Sequence, residues 1–282
     1  MRYRPTPIFQ WLRHQARLVD EGGVRTAASD SFGRLARYFR KHGLTATLQR
    51  LTRNAPPAAA PAKEAVQLQP DPFDLLHGTD TGGRISAKDL TGISLSALYS
   101  TAYAGAPPSA FRQALARLPI RYEDFSFVDV GCGKGRALLI AAGFAFPRLV
   151  GVELSDELCT IARANIAIAL DPERASRISV VNQDATKIIY PDGPLLLFLY
   201  NPFGSPILRR VLKNLERQVQ ESPRPVYLLY GWDPGYKEVM ESFPFLRRIS
   251  VNVYPLSAED GQANPFGRTE EHFTLYSSEI TN

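Results

Sequence analysis

The run Phe125-Ser126-Phe127-Val128-Asp129-Val130-Gly131-Cys132-Gly133-Lys134-Gly135-Arg136 decides the fold. Its first six residues are apolar apart from one serine and one aspartate, which reads as a buried strand. Glycines at three alternate positions then turn the chain, and GRALLIAAGFA, from Gly135, reads as a helix. Strand, glycine turn and helix, in that order, are the setting in which a glycine loop receives a nucleotide. Gly131 and Gly133 let the backbone turn sharply and approach a ligand where a Cβ would clash. The spacing is not the G-x-G-x-x-G that cradles a pyrophosphate on a helix N-terminus. Asp129 stands just before the loop, where a carboxylate repels a pyrophosphate and attracts a cationic ligand.

Strands and helices alternate outward from this loop. RLVGVEL (148–154) reads as a strand. SDELCTIARANIAIAL (155–170) reads as a helix capped by Ser155, with Glu157 in its first turn and Pro172 beyond its end. RISVVNQDA (177–185), PLLLFLYNPF (194–203) and RPVYLLYGW (224–232) read as strands. SPILRRVLKNLERQV (205–219) reads as a helix with Ser205 as cap and Pro206 at its first position. FLRRISVNVYPL (245–256) and EHFTLYSS (271–278) read as two strands around a polar loop. The pattern predicts an α/β fold: a doubly wound, mostly parallel seven-stranded sheet with a C-terminal antiparallel hairpin at its edge, plus a helical N-terminal extension.

The remaining chain divides by composition. Residues 1–54 form a basic amphipathic arm. Two helical stretches, PIFQWLRHQARLV and SFGRLARYFRKHGL, interleave aromatics with arginines, and up to Arg53 there are 11 Lys or Arg against 3 Asp or Glu. The rest of the chain is nearly balanced, so the net charge of +5 belongs to the arm. Such a pattern suits nucleic acid or an anionic membrane surface. Residues 55–70 are a Pro/Ala linker, since APPAAAPA forbids a regular helix. Residues 71–120 are a helical lead-in: a loop HGTDTGG with His77, Asp80 and Thr81, a helix over Leu95–Tyr103 capped by Ser94, and the helix FRQALARL with Ser109 as cap. Residues 121–282 are the main domain. Two cysteines, Cys132 and Cys159, give neither a disulfide framework nor zinc spacing. No metal site is expected. With no apolar run of spanning length and no signal-type N-terminus, the reading is a reduced, cytoplasmic protein.

The [DE]-x-G-x-G-x-G pattern of Asp129–Gly135 resembles the signature loop of class I (Rossmann-like) S-adenosylmethionine-dependent methyltransferases. The resemblance implies S-adenosylmethionine as cofactor, with Asp129, Gly131, Cys132, Gly133 and Gly135 around it. Glu153, ending the second strand, would take the ribose hydroxyls, and Asp184, ending the third, the adenine amino group. Leu154 and Ala185 would line the adenine faces. Tyr103, four residues from Tyr99, would close the site over the methionine end. Lys134 reads as a solvated flank, Cys132 as a small residue chosen for fit and Cys159 as core.

After the fourth strand, Tyr200-Asn201-Pro202-Phe203-Gly204 resembles the [DNS]-P-P-[FYW] motif of amino-group methyltransferases, with one proline missing. That likeness implies a catalytic role for Asn201, Pro202 and Phe203, in which an amide oxygen and a backbone carbonyl accept from the target amine. Residues 125–215 also resemble, at a distance, the non-SET histone lysine methyltransferases. The implied function is methyl transfer to an amino nitrogen of a protein or nucleic acid. The alternatives are a small-molecule acceptor, or a binding or scaffold module on the same fold.

Overall fold

The computed structural model describes residues 71–85, 101, 103–231, 236–264 and 266–278. The basic arm, the linker and most of the helix expected over Leu95–Tyr103, Tyr99 included, lie outside these residues. Tyr103, at the end of that expected helix, instead lies in a two-residue strand, Tyr103–Ala104 (β2), paired antiparallel with Arg84–Ile85 (β1).

The main sheet has seven strands: Ser126–Val130 (β3), Arg148–Glu153 (β4), Ile178–Asn182 (β5), Leu195–Tyr200 (β6), Val226–Gly231 (β7), Arg247–Pro255 (β8) and Glu270–Ser277 (β9). Their order is β5-β4-β3-β6-β7-β9-β8. The first five are parallel, and β9 runs antiparallel to both β7 and β8. The C-terminal pair therefore closes one edge, as its alternating sequence predicts. The chain reverses direction of travel between β3 and β6, and a ligand cleft forms outside the strand ends at such a switch point.

The core explains the strand sequences. Parallel strands covered by helices on both faces carry nearly continuous apolar runs, and all five residues of β3 are buried. Alternate residues serve opposite faces: Phe127 joins Phe111, Phe146 and Phe198 on one side, while Val128 and Val130 join Leu197, Leu208 and Val211 on the other. The helix Pro108–Ala116 sits over the first face, where the Phe111 ring lies 4.2 Å from that of Phe198. The helix Ser205–Glu221 covers the second with Ile207, Leu208, Val211, Leu212 and Leu215.

Cap residues show where local rules hold. Ser155 Oγ accepts from the Leu158 N–H, as expected for the helix Asp156–Ala169. Ser205 does not cap: it is the first helical residue, after Gly204, and no side chain caps that end. Ser109 is likewise inside its helix, which follows Pro107. Its N–H donates to Asp260 at 2.6 Å, and its Oγ accepts from Ser257 N. A long-range tie has replaced a local cap. Four short helices among the described residues escaped the sequence reading: Pro72–His77, Pro172–Ser176, Lys237–Glu241 and Ala258–Ala263. The first has clear signals, since Asp71-Pro72 and Gly78 are a cap, a first-turn proline and a left-handed stop.

A cleft at the ends of four parallel strands

The carboxyl ends of β3, β4, β5 and β6 meet around a cleft of about 880 Å³, solvent-open mouth included. The three glycines of the loop have positive φ. At two of them something also occupies the space of a side chain. A Cβ on Gly131 would stand 2.5 Å from Pro202 Cβ, and one on Gly133 2.2 Å from Tyr103 Cε2. The loop is thus bare because the segment after β6 and the lead-in both press against it. Gly131 and Cys132 hang from β4, their N–H groups donating to Val152 O at 2.8 and 3.0 Å.

The polar wall carries three carboxylate residues, Asp129, Glu153 and Asp184, together with Arg136. Asp129 is 4% exposed and lines the cleft. Among the described residues no group donates a hydrogen bond to it. Burial, and then the charge of Glu153, push its pKa up to about 8. Glu153 is better supported: its Oε2 accepts from Gly133 N at 3.0 Å and its Oε1 from Ser155 N at 2.9 Å. Burial still raises its pKa against those bonds. A carboxylate oxygen has more than one lone-pair site, so both Glu153 oxygens retain capacity for a ligand hydroxyl.

Asp184 borders the same cleft after β5, and its Oδ1 accepts from Thr186 N and Oγ1 at 2.9 and 2.8 Å. It therefore shapes the turn as well as the wall. Leu154 and Ala185 line the cleft beside it, as does Tyr103 from the lead-in. Gly133 and Gly135 are not on the lining; they support it, Gly135 by close packing on Ala162.

The lead-in loop holds the glycine turn from outside. Arg136, 6% exposed, pairs with Asp71 at 2.5 Å, and its Nε donates to Thr81 Oγ1 at 2.8 Å. Lys134 Nζ pairs with Asp80 at 2.6 Å and donates to Gly82 O. Lys134 is 7% exposed, so it is no solvated flank. The polar residues of HGTDTGG do not enter the cleft lining; they clamp the loop that forms it. Arg136 drew no notice in the sequence, where an arginine at the start of a helix looks like an ordinary surface residue.

At the end of β6, Pro202 and Phe203 line the cleft but Asn201 does not. Asn201 has φ 45°, and its Oδ1 is buried without a hydrogen-bond partner among the described residues. Its carbonyl accepts from Thr101 Oγ1 at 2.5 Å, and the Pro202 carbonyl accepts from Thr101 N at 3.2 Å. Each backbone carbonyl on which the likeness to [DNS]-P-P-[FYW] depends thus already accepts one bond from Thr101. Tyr200, which the sequence reading passed over, lines the cleft in their place.

A seven-stranded sheet of this order, with its cleft at the ends of the central strands, defines the fold of a class I S-adenosylmethionine-dependent methyltransferase. Residues 128–197 match the family model described as Methyltransferase domain. No curated protein matches the chain. Among solved structures it is similar to the 23S rRNA methyltransferase ErmE, with 13% identity over 59% of this chain and 66% of that one, at a TM-score of 0.41. It is also similar to the glycopeptide N-methyltransferase MtfA in complex with S-adenosyl-L-methionine, with 11% identity, 61% and 94% coverage and a TM-score of 0.45. A third is the magnesium protoporphyrin IX methyltransferase ChlM from Synechocystis PCC 6803, with 12% identity, 60% and 75% coverage and a TM-score of 0.41. Among the described residues no helix is long and apolar enough to cross a membrane, and no acidic, Cys or His group could hold a metal.

Proposed function

We propose that the chain is an S-adenosylmethionine-dependent methyltransferase that modifies an amino nitrogen of a protein or nucleic acid. One observation carries the cofactor: Asp129 is a buried carboxylate with no hydrogen-bond donor among the described residues, facing a cleft it shares with a second carboxylate. Burial holds its pKa up at about 8, so it keeps a proton near neutral pH, and a cationic ligand would offset the cost of ionising it. Asp129 would hold the ammonium group, Glu153 the ribose hydroxyls, and Asp184 with Leu154 and Ala185 the adenine. Gly131 lines the cleft beside them.

When bound, S-adenosylmethionine supplies a methyl group already activated by its sulfonium. The protein's part is then to bind, to orient the acceptor in line and to exclude water. Pro202 and Phe203 wall the acceptor end, and Tyr103 covers the glycine turn. A macromolecular acceptor is favoured by the arm, whose 11 basic residues against 3 acidic ones suit a polyanion. Salt-dependent binding to nucleic acid or to anionic vesicles, with and without residues 1–60, tests that part.

Calorimetry of the full chain with S-adenosylhomocysteine tests the cofactor. The expected constant is micromolar, and Asp129→Asn and Glu153→Gln should each weaken it about 10- to 100-fold, the scale of a charged hydrogen bond. No binding by the unaltered protein, or full binding by both variants, overturns the reading. Transfer of tritiated methyl to fractionated cell extract then sorts protein, nucleic-acid and small-molecule acceptors.

A further inference from the structure

The end of β6 contains a buried polar chain that none of the roles above uses. Tyr200 pairs in register with Gly231 of β7, which pairs in turn with Phe273 of β9. Because Gly231 has no side chain, the Tyr200 ring lies across it: a Cβ there would stand 2.4 Å from Tyr200 Cδ2. The ring thereby reaches β9, where its hydroxyl donates to Glu271 Oε2. Glu271 is 1% exposed. Its Oε1 accepts from His272 N at 3.0 Å, and Arg268 Nη1 lies 3.1 and 3.2 Å from its two oxygens.

This chain fixes which way the tyrosine proton points. A phenol has one proton to donate and lone pairs that accept. The proton of Tyr200 is committed to a carboxylate whose charge Arg268 balances. Burial first, and Glu271 second, hold the Tyr200 pKa well above its ordinary value, so that proton stays in place. Tyr200 borders the cleft, so any bond its hydroxyl makes there is through lone pairs. The two nearby backbone carbonyls, of Asn201 and Pro202, already accept from Thr101.

We propose that Tyr200 is a specificity-determining residue for the methyl acceptor, accepting an N–H from it, and that Glu271 positions the tyrosine proton for this purpose. The substrate class it selects is an amino nitrogen, and a group at that place with lone pairs alone, such as an ether or carbonyl oxygen, is disfavoured. An N–H held by Tyr200 also fixes the direction of the nitrogen lone pair. The inference rests on the cleft holding S-adenosylmethionine as proposed above.

The test uses binding, with no acceptor identified in advance. The probes are two S-adenosylhomocysteine analogues whose sulfur is replaced by nitrogen, one with an aminopropyl arm and one with a methoxyethyl arm of the same number of atoms. Calorimetry on the full chain should show the amine arm preferred, and Tyr200→Phe should cut that preference about tenfold, the scale of one such hydrogen bond. Comparing the ratio cancels any general attraction of the acidic cleft for an amine. Glu271→Gln gives a signature that mere packing does not. Arg268 and His272 N–H would draw the amide oxygen, turning its NH₂ to Tyr200 and releasing the tyrosine proton into the cleft, so the preference should shift toward the ether arm. S-adenosylhomocysteine itself should bind both variants within about threefold of the unaltered chain. If the unaltered chain does not bind S-adenosylhomocysteine, the cofactor reading fails. If it binds but the arm preference survives Tyr200→Phe unchanged, or is unmoved in Glu271→Gln, the role of Tyr200 and Glu271 is wrong and the cofactor reading stands.

Discussion

The ring of Tyr103 occupies the volume that a side chain at Gly133 would need, with Tyr103 Cε2 standing 2.2 Å from the position of such a Cβ. The contact joins two segments far apart in sequence, because the Tyr103 hydroxyl also donates to Thr81 O at 2.6 Å. Gly133→Ala must therefore either expel the ring or distort the loop, at a position whose φ of 52° already disfavours a side chain. The expected loss of stability is about 1–3 kcal/mol, as for other strained backbone sites. Affinity for S-adenosylhomocysteine should fall as well. Tyr103→Phe keeps the ring and loses one hydrogen bond, which costs about 1 kcal/mol. Chemical denaturation of both variants checks the ranking, and an alanine variant as stable as the phenylalanine one would contradict it.

The protonation of Asp129 gives a pH signature. Its pKa rises from 3.8 to about 8 through burial and then through Glu153. The native protein keeps a proton that the unfolded chain releases near pH 4. The stability due to this group is therefore complete below about pH 4 and is lost as pH rises toward 8. Asp129→Asn has no such slope, so its melting temperature should gain on that of the unaltered protein between pH 4 and 8. A cationic ligand favours the ionised carboxylate, so binding near pH 7 should release protons. Calorimetry in buffers of different ionisation enthalpy measures that release, and identical heats after buffer correction would count against it.

Much of this was legible in the sequence, and the omissions have a common cause. The period and apolar runs of residues 125–232 identify the strands, with Asp129 and Glu153 at the ends of two of them and Asp184 just after a third. Those are local facts, and the structure brings the three to one cleft. What the sequence hides are ties between distant segments. Arg136 meets Asp71 across 65 residues, Tyr200 meets Glu271 across 71, and Ser109 meets Asp260 across 151. No spacing rule marks such pairs. Gly231 likewise reads as the end of a strand, and only the Tyr200 ring shows why no side chain is there.

The two cysteines should be inert in the native protein. Both are buried. Burial raises the pKa of each thiol, and the charges of Asp129 and Glu153 raise that of Cys132 further. A thiol held protonated is a poor nucleophile. Cys132 serves by its size: a Cβ at Gly151 would come within 2.7 Å of its Sγ. Iodoacetamide at neutral pH should label neither residue in minutes, and both after unfolding, as read by intact mass. Rapid native labelling of Cys132 would show a thiolate in the cleft.

Arg136 belongs to both clamp and cleft, because it lines the cleft wall as well as pairing with the lead-in. Its guanidinium lies 2.5 Å from Asp71 and 3.8 Å from Asp74, and both carboxylates are mostly covered. Asp74 also accepts from Thr79 Oγ1, Thr81 Oγ1 and N, and Gly82 N, so one carboxylate organises the whole HGTDTGG turn. Burial raises the Asp74 pKa, but the bonds from Thr81 and Thr79, with the charge of Arg136, outweigh it and leave the pKa lowered. That stability is present above about pH 4 and is lost as pH falls through the lowered value. Arg136→Met keeps the apolar stem, loses the guanidinium and strands the two carboxylates. Breaking a buried pair in this way costs about 3–5 kcal/mol. Asp71→Asn in the same background removes one stranded charge and should recover part of the loss, whereas in the unaltered protein Asp71→Asn should only destabilise. Urea denaturation of the four proteins forms a double-mutant cycle. Simple additivity in that cycle would mean that the Arg136–Asp71 contact does not hold the lead-in against the glycine loop.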